Sequence, residues 1–321
     1  MEDSIIFQHD GCPFTGKTYL SLLYKYSEGK AKNTESTGRF GTGFLTTHSL
    51  SKVIKMEGPI IDEDGIICAF DVTMFRDGKD NDELIKGIQK MEKEKKFWRN
   101  KNPRWTKFKY ELKTKRNKES SQLGAYSFKI NIVLTMLFNQ KFKKVQLKSK
   151  GINLIYEKKQ EQQKEEKNKI EIISYSLNDI NSNKLETRTF LHSKIDEKSK
   201  EFTEHFEKER NLIVECALEI DPINNKIICE ERTPCLFCSL PLVGSEKHIL
   251  PFILNSNDFE PSTERQEILL DGLDIKKDEK RNNKEIPTDV GINRYILKEV
   301  MNYLNELLNI VQRKNLIIYI C

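Results

Sequence analysis

The stretch HDGCPFTGKT, residues 9–18, contains GCPFTGKT, Gly11–Thr18, which satisfies the phosphate-loop pattern of a glycine, four free positions and Gly-Lys-Ser/Thr. On that reading Lys17 reaches the terminal phosphates of a nucleotide and Thr18 its metal ion, while Asp71, at the end of the strand-like IICAFD, holds the same metal. The pattern is short, and it leaves the second glycine cluster, STGRFGTGF at residues 36–44, without a role. That cluster offers another way to hold an anion. The amides after Gly38, Gly41 and Gly43 can approach a polyphosphate with no side chain in the way, and a following helix turns its positive end toward the charge.

Working outward, SIIFQ before the first stretch reads as a short buried strand and YLSLLYKY after it as a helix. Past the glycines, Phe44, Leu45, Leu50 and Val53 recur at near-helical spacing, which predicts a glycine loop feeding a helix. GIICAFDVTMF and TKFKYELK read as strands around the helix-like DELIKGIQKMEKEKKFW, giving a mixed sheet with helical cover. Next come a long apolar helix, QLGAYSFKINIVLTMLFNQ, and strands in KKVQLKSKGINLIYE and KIEIISYSL. The run KKQEQQKEEKNK between those strands is too charged to pack and predicts a projecting insertion. RNLIVECALEI and KIICEERTPCLFCSLPL are further strands around the turn DPINN, and NRYILKEVMNYLNELLNIVQ reads as a closing helix. The fold class is α+β, divided near residue 118 into units 1–118 and 119–321.

Composition limits the function classes. Charged residues make up 32% of the 321 positions against 37% hydrophobic ones, enough apolar material for a globular protein with solvated charged segments. No window approaches the roughly 18–20 apolar residues of a membrane span, and MEDSIIFQHD lacks the basic start and apolar run of a signal peptide. The expectation is a cytoplasmic or nuclear chain with no membrane partner. The seven cysteines are odd in number, and Cys12, Cys68, Cys216 and Cys321 sit among apolar neighbours like buried thiols. CLFC, Cys235–Cys238, has half the spacing of a zinc knuckle, with Cys216 and Cys229 upstream. No second C-x-x-C or H-x-x-x-H completes it, so strand cysteines are expected and no metal ligand is assigned. Between Lys90 and Lys118 basic residues alternate with Trp98, Trp105, Phe108 and Tyr110. That pattern suits nucleic acid, with charges on phosphate and rings on bases, or a solvated helix followed by a strand with core aromatics, which is the favoured reading.

Order and spacing join the two glycine stretches. FQHDGCPFT followed by TGRFGTGF resembles the ATP-binding module of the GHKL superfamily. Within it the match is to the branch of the ninety-kilodalton heat-shock chaperones and sacsin-type domains, where H-[ND]-G-x-P-F-T and T-G-R-F-G-x-G-F are characteristic. The resemblance covers residues 5 to about 270 and implies a Bergerat-type two-layer α/β sandwich lacking its N-terminal helix, followed by a transducer-like α+β domain with a C-terminal helix. It implies ATP and Mg2+ as ligands, with His9, Asp10 and Gly11 at the adenine and Gly38, Arg39, Phe40, Gly41, Thr42, Gly43 and Phe44 as a lid over the phosphates. WTKFKYEL looks like the family's late strand, which puts Thr106 on the phosphate side of the pocket. MLFNQKFKKVQL looks like the entry to the second domain. LPFILNSNDFEPSTERQEILL looks like the segment that brings an arginine to the phosphates, making Arg265 the catalytic cation; otherwise it is a surface arginine paired with Glu264 or Glu267.

Two departures qualify the resemblance. The family's adenine-binding Asp falls on His9, with Asp10 one place later, so either a neutral imidazole nitrogen accepts the amino group or Asp10 swings in. The family's preceding helix carries a water-activating Glu and a magnesium-binding Asn, yet only eight residues precede His9. Hydrolysis therefore lacks its usual base. The implied function is ATP binding coupled to domain rearrangement, of a chaperone-like kind with a protein client. The alternatives are a non-hydrolysing regulatory or DNA-associated interaction module and a phosphate-loop NTPase.

Overall fold

The computed structural model describes residues 3–23, 47–159, 163–165, 170–197, 211–224, 226–229, 233–248, 250–262, 266–278, 284–313 and 317–318. The protein is α+β and divides into two compact units, 1–127 and 128–321. Residue 118 lies in the first turn of a helix, Lys115–Phe138, that runs through the division.

Unit 1 is built on a six-stranded sheet. Its strands are β1 (Ser4–His9), β2 (Phe14–Thr15), β3 (Val53–Ile61), β4 (Ile67–Phe75), β5 (Lys96–Trp98) and β6 (Thr106–Glu111), in the order β1-β6-β3-β4-β5 with β2 beside β3. All pairs are antiparallel except β2–β3. Period-two alternation sends Ile54, Met56 and Ile60 of β3 and Cys68, Phe70, Val72 and Met74 of β4 into one core. The opposite face is charged, with Lys55–Asp71 at 3.1 Å and Lys107–Glu57 at 3.0 Å. One layer of helices therefore suffices. Helix α1 (Gly16–Leu23) contributes Tyr19 and Leu22 to that layer, and α2 (Asn81–Glu94) contributes Met91. Asp80 caps α2 by accepting the Glu83 N–H at 2.8 Å.

The helix expected after the second glycine cluster does not form over its described part. A single 3-10 turn, Thr47–Ser49, follows, and Val53 opens β3. The spacing of Leu50 and Val53 imitates a helix face, but from Val53 onward the alternation is that of a half-buried strand.

Unit 2 centres on an eleven-stranded sheet. Its strands are β7 (Lys144–Ser149), β8 (Ile152–Lys158), β9 (Gln163–Glu165), β10 (Ile170–Asp179), β11 (Lys184–Glu197), β12 (Leu212–Asp221), β13 (Lys226–Ile228), β14 (Leu236–Cys238), β15 (Leu240–Pro241) and β16 (Ile253–Ser256), completed by β19 (Ile317–Ile318). β17 (Ile275–Asp278) and β18 (Lys284–Pro287) form a separate hairpin. Part of the charged run between β8 and β10 does pair, as β9 against β10. Both faces of the central strands are covered. Val214, Cys216, Leu218 and Ile220 of β12 pack with Ile292, Ile296, Val300 and Leu304 of the last helix, α4 (Asp289–Arg313). Ala217 lies in the other core, beneath helix α3 (Lys115–Phe138), whose residues Ile132–Phe138 are all buried. A helix end apolar on every side is enclosed on every side. No helix among the described residues is long and apolar enough to cross a membrane.

Candidate functional site

The register of β1 against β6 sets His9 directly opposite Thr106. From His9 the chain crosses the start of β6 and enters β2 beside β3, at the pair Phe14 and Ile60. At this crossing Arg104 holds Asp10 at 3.1 Å. On the other flank of Thr106 lies Gly58, where an added Cβ would stand 2.9 Å from both the Thr106 Cα and Oγ1. Only a glycine leaves room there. Thr106 is 1% exposed, and its Oγ1 is buried with no hydrogen-bond partner. Natural proteins seldom leave such a group unsatisfied unless a ligand or water serves it.

His9 is half-buried, with Phe7 at 5.8 Å and Phe108 at 6.3 Å between ring centroids. Its Nδ1 accepts the Gly11 N–H at 3.2 Å. Desolvation holds its pKa below the ordinary histidine value, against the weaker pull of Asp10. Asp10 and Gly11 are exposed. The resemblance divides His9 and Thr106 between the base and phosphate ends of a nucleotide, but directly opposed antiparallel residues are only roughly 5 Å apart at Cα. The structure brings the two residues together at one end of the β1–β6 pair.

Gly38, Arg39, Phe40, Gly41, Thr42, Gly43, Phe44 and Arg265 lie outside the described residues. The flanks of the glycine segment are described, and one residue ties them together. Arg76, just past β4, donates to the Leu22 carbonyl at 3.1 Å and to His48 Nε2 at 2.9 Å. Burial, then the charges of Arg76 and Lys52, hold His48 below its ordinary pKa, in the neutral form that accepts this bond. Asn117 donates to the Ser49 carbonyl at 2.9 Å, fixing the same turn. Sequence reasoning missed Arg76, because an arginine after a strand carries no local signal of its role.

The phosphate-loop residues are arranged differently from what that pattern needs. Phe14 and Thr15, in the middle of GCPFTGKT, are extended in β2 rather than wrapped around an anion. The Thr18 hydroxyl accepts the Thr15 N–H at 2.7 Å and donates to the Thr15 carbonyl at 3.0 Å, while Thr15 Oγ1 accepts the Thr18 N–H at 3.2 Å. This is a reciprocal helix cap. Lys17 is exposed, and Asp71 sits mid-strand in β4, paired with Lys55.

The basic stretch is largely neutralised within unit 1. Arg99 pairs with Asp62 and Asp64, Arg104 with Asp10, Lys107 with Glu57, Lys113 with Asp77 and Lys118 with Asp3. Phe108 and Tyr110 are core residues. Among the cysteines, Cys68, Cys216, Cys235 and Cys238 are buried, and burial pushes Cys216 up to about 12. Cys12, expected to be buried, is exposed, because the crossing into β2 runs over the surface. Among the described residues no group of three or more His, Cys, Asp or Glu is arranged to hold a metal ion. Cys235 instead donates to the Ser245 carbonyl at 3.1 Å and Cys238 to the Phe259 carbonyl at 3.5 Å. A cavity of about 20 Å³ in unit 2, lined by Glu219, Cys229, Thr233, Cys235, Glu246 and His248, has room for a water-sized molecule and not a nucleotide. No protein-family model and no curated protein matches the chain.

Proposed function

We propose that the chain is an ATP-binding protein of the GHKL type, with a Bergerat-like unit 1, that converts nucleotide binding into conformational change. The observation carrying this reading is the pairing of His9 with Thr106, beside a buried hydroxyl that lacks a partner. Two motifs far apart in the chain, each matched separately to the family's nucleotide pocket, meet at one point. His9, Asp10, Gly11 and Thr106 hold the base end, and the glycines from Gly38 to Gly43 hold the phosphates with Mg2+. ATP with Mg2+ supplies the differential contact that a population shift requires. The capped first turn of α1 and the extended Phe14 and Thr15 favour this over a phosphate loop.

The test is ATP-dependent thermal stabilisation of the wild type, Lys17→Ala and Gly43→Val in the presence of Mg2+. ATP is expected to stabilise the wild type and Lys17→Ala but not Gly43→Val. Loss with Lys17→Ala alone reverses the choice in favour of the phosphate loop, and an unshifted wild type removes both readings.

A further inference from the structure

The cysteine pair that the sequence offers in CLFC is divided by the strand on which it sits. Cys238 packs into the core that contains α4, whereas Cys235, at an odd spacing and so on the other face of the extended chain, lines the cavity of unit 2. Its companion there is Cys229, the residue that follows β13. Strand pairing explains the meeting. With β11 along one edge, β12 gives its other edge first to β16, through Ala217 and Ile253, and then to β13, through Glu219 and Ile228. The end of β13 therefore abuts the start of β16. Cys229 donates to the Leu250 carbonyl at 3.4 Å, just ahead of β16, and the Cys235 carbonyl accepts the Leu254 N–H at 2.8 Å, inside it.

The two thiols differ in access. Cys229 is partly exposed, while Cys235 is 2% exposed and held above the ordinary thiol pKa by burial, with the charges of Glu246 and Cys229 adding to the effect. That one thiol acts on the other is a sign of their proximity. Thr233 Oγ1, buried with no hydrogen-bond partner, lines the same cavity, whose volume of about 20 Å³ suits one water-sized group. A sulfenic oxygen is such a group. We propose that Cys229 and Cys235 form a dithiol oxidation site, in which hydrogen peroxide converts Cys229 to a sulfenic acid and Cys235 closes a disulfide onto it. The Cys229 sulfur attacks one peroxide oxygen, forming S–O as O–O breaks, and its thiol proton joins the departing hydroxide as water. The Cys235 sulfur then attacks Cys229 Sγ, forming S–S as S–O breaks, and the Cys235 proton leaves with that hydroxide as a second water. Two thiols are oxidised and one peroxide is reduced. Until the second step, the sulfenic oxygen occupies the cavity and accepts the hydrogen bond of the Thr233 hydroxyl.

The test treats the reduced full chain with an equivalent of hydrogen peroxide, alkylates it under denaturing conditions and maps its peptides by mass spectrometry. Titratable thiols are expected to fall by two from the seven of the reduced chain, with Cys229 cross-linked to Cys235, and dithiothreitol restores them. In Cys235→Ser the cross-link is lost and dimedone labels Cys229, whereas Cys229→Ser gives neither product. An unchanged thiol count, a cross-link between any other pair, or labelling of the exposed Cys12 ahead of Cys229 overturns the proposal. So does Zn2+ retained by the reduced wild type and released when either cysteine is replaced, which would make the pair metal ligands. Should a variant fail to fold, the wild-type cross-link map decides alone. Nothing in this outcome depends on ATP, so the nucleotide reading stands or falls separately.

Discussion

A hydroxyl sealed from water with nothing to bond costs a protein about 1–3 kcal/mol. Thr106 is 1% exposed and carries that cost, and Gly58 gives up a side chain to accommodate it. Core packing alone would be better served by valine, which has the same shape and no unmet oxygen. Thr106→Val is therefore expected to raise the stability of the ligand-free protein by about 1 kcal/mol in chemical denaturation. The same variant should lose most of the ATP-dependent thermal shift. A variant that is destabilised and still responds to ATP would refute the role given to the hydroxyl. The candidate residues at this point were legible in the sequence; their juxtaposition was not. His9 and Thr106 came from separate motifs, and only the β1–β6 register reveals that they face each other. The bond from the Gly11 N–H to His9 Nδ1 depends on a turn that no residue pattern encodes.

Among the elements, β4, β6, α2 and α4 could be read directly, because each keeps one period and buries one face. β3 was obscured by Gly58 and Pro59, two residues that ordinarily weaken strands; here the glycine admits Thr106 and the proline pairs with Ala69 inside the ladder. β11 was missed for a different reason. Its KLETRTFLHSKIDE is mostly polar, with Leu185, Phe190, Leu191 and Ile195 set irregularly among charged and hydroxyl residues, yet Thr189–His192 is buried. Its charges are answered by a neighbouring strand more than twenty residues on. Arg188 grips Glu219 through Nε at 2.7 Å and Nη2 at 2.5 Å, and His192 meets Glu215 at 2.9 Å, with Asn255 donating to that carboxylate at 2.8 Å. A linear reading cannot supply partners it has not yet placed. Glu219→Ala is expected to cost about 1.5–3 kcal/mol by removing both hydrogen bonds that Arg188 donates to this buried carboxylate. The double variant Arg188→Met, Glu219→Leu should recover most of that loss in a denaturant double-mutant cycle. Equal destabilisation of single and double variants would mean that the pair is not the cause.

Across the whole molecule the formal charge is only +5, and the most basic stretch spends much of its charge on carboxylates of its own unit. Nucleic-acid binding releases counterions in proportion to the cations left over for phosphate. A single-stranded oligonucleotide is accordingly expected to show no retention at about 0.15 M salt, where the Debye length is about 8 Å, in a fluorescence-anisotropy titration. Steeply salt-dependent binding would return the DNA-associated reading to the front.

Arg76 has a practical consequence for engineering. One guanidinium spans the Leu22 carbonyl and the His48 imidazole, so the chain leaves and re-enters the sheet unit at almost the same place. A short Gly-Ser linker from Leu23 to Thr47 would then close at little cost in entropy, since linker length enters only logarithmically. The shortened chain would be a scaffold that keeps His9 and Thr106 without the glycines, and a recipient for glycine segments transplanted from other nucleotide-binding proteins.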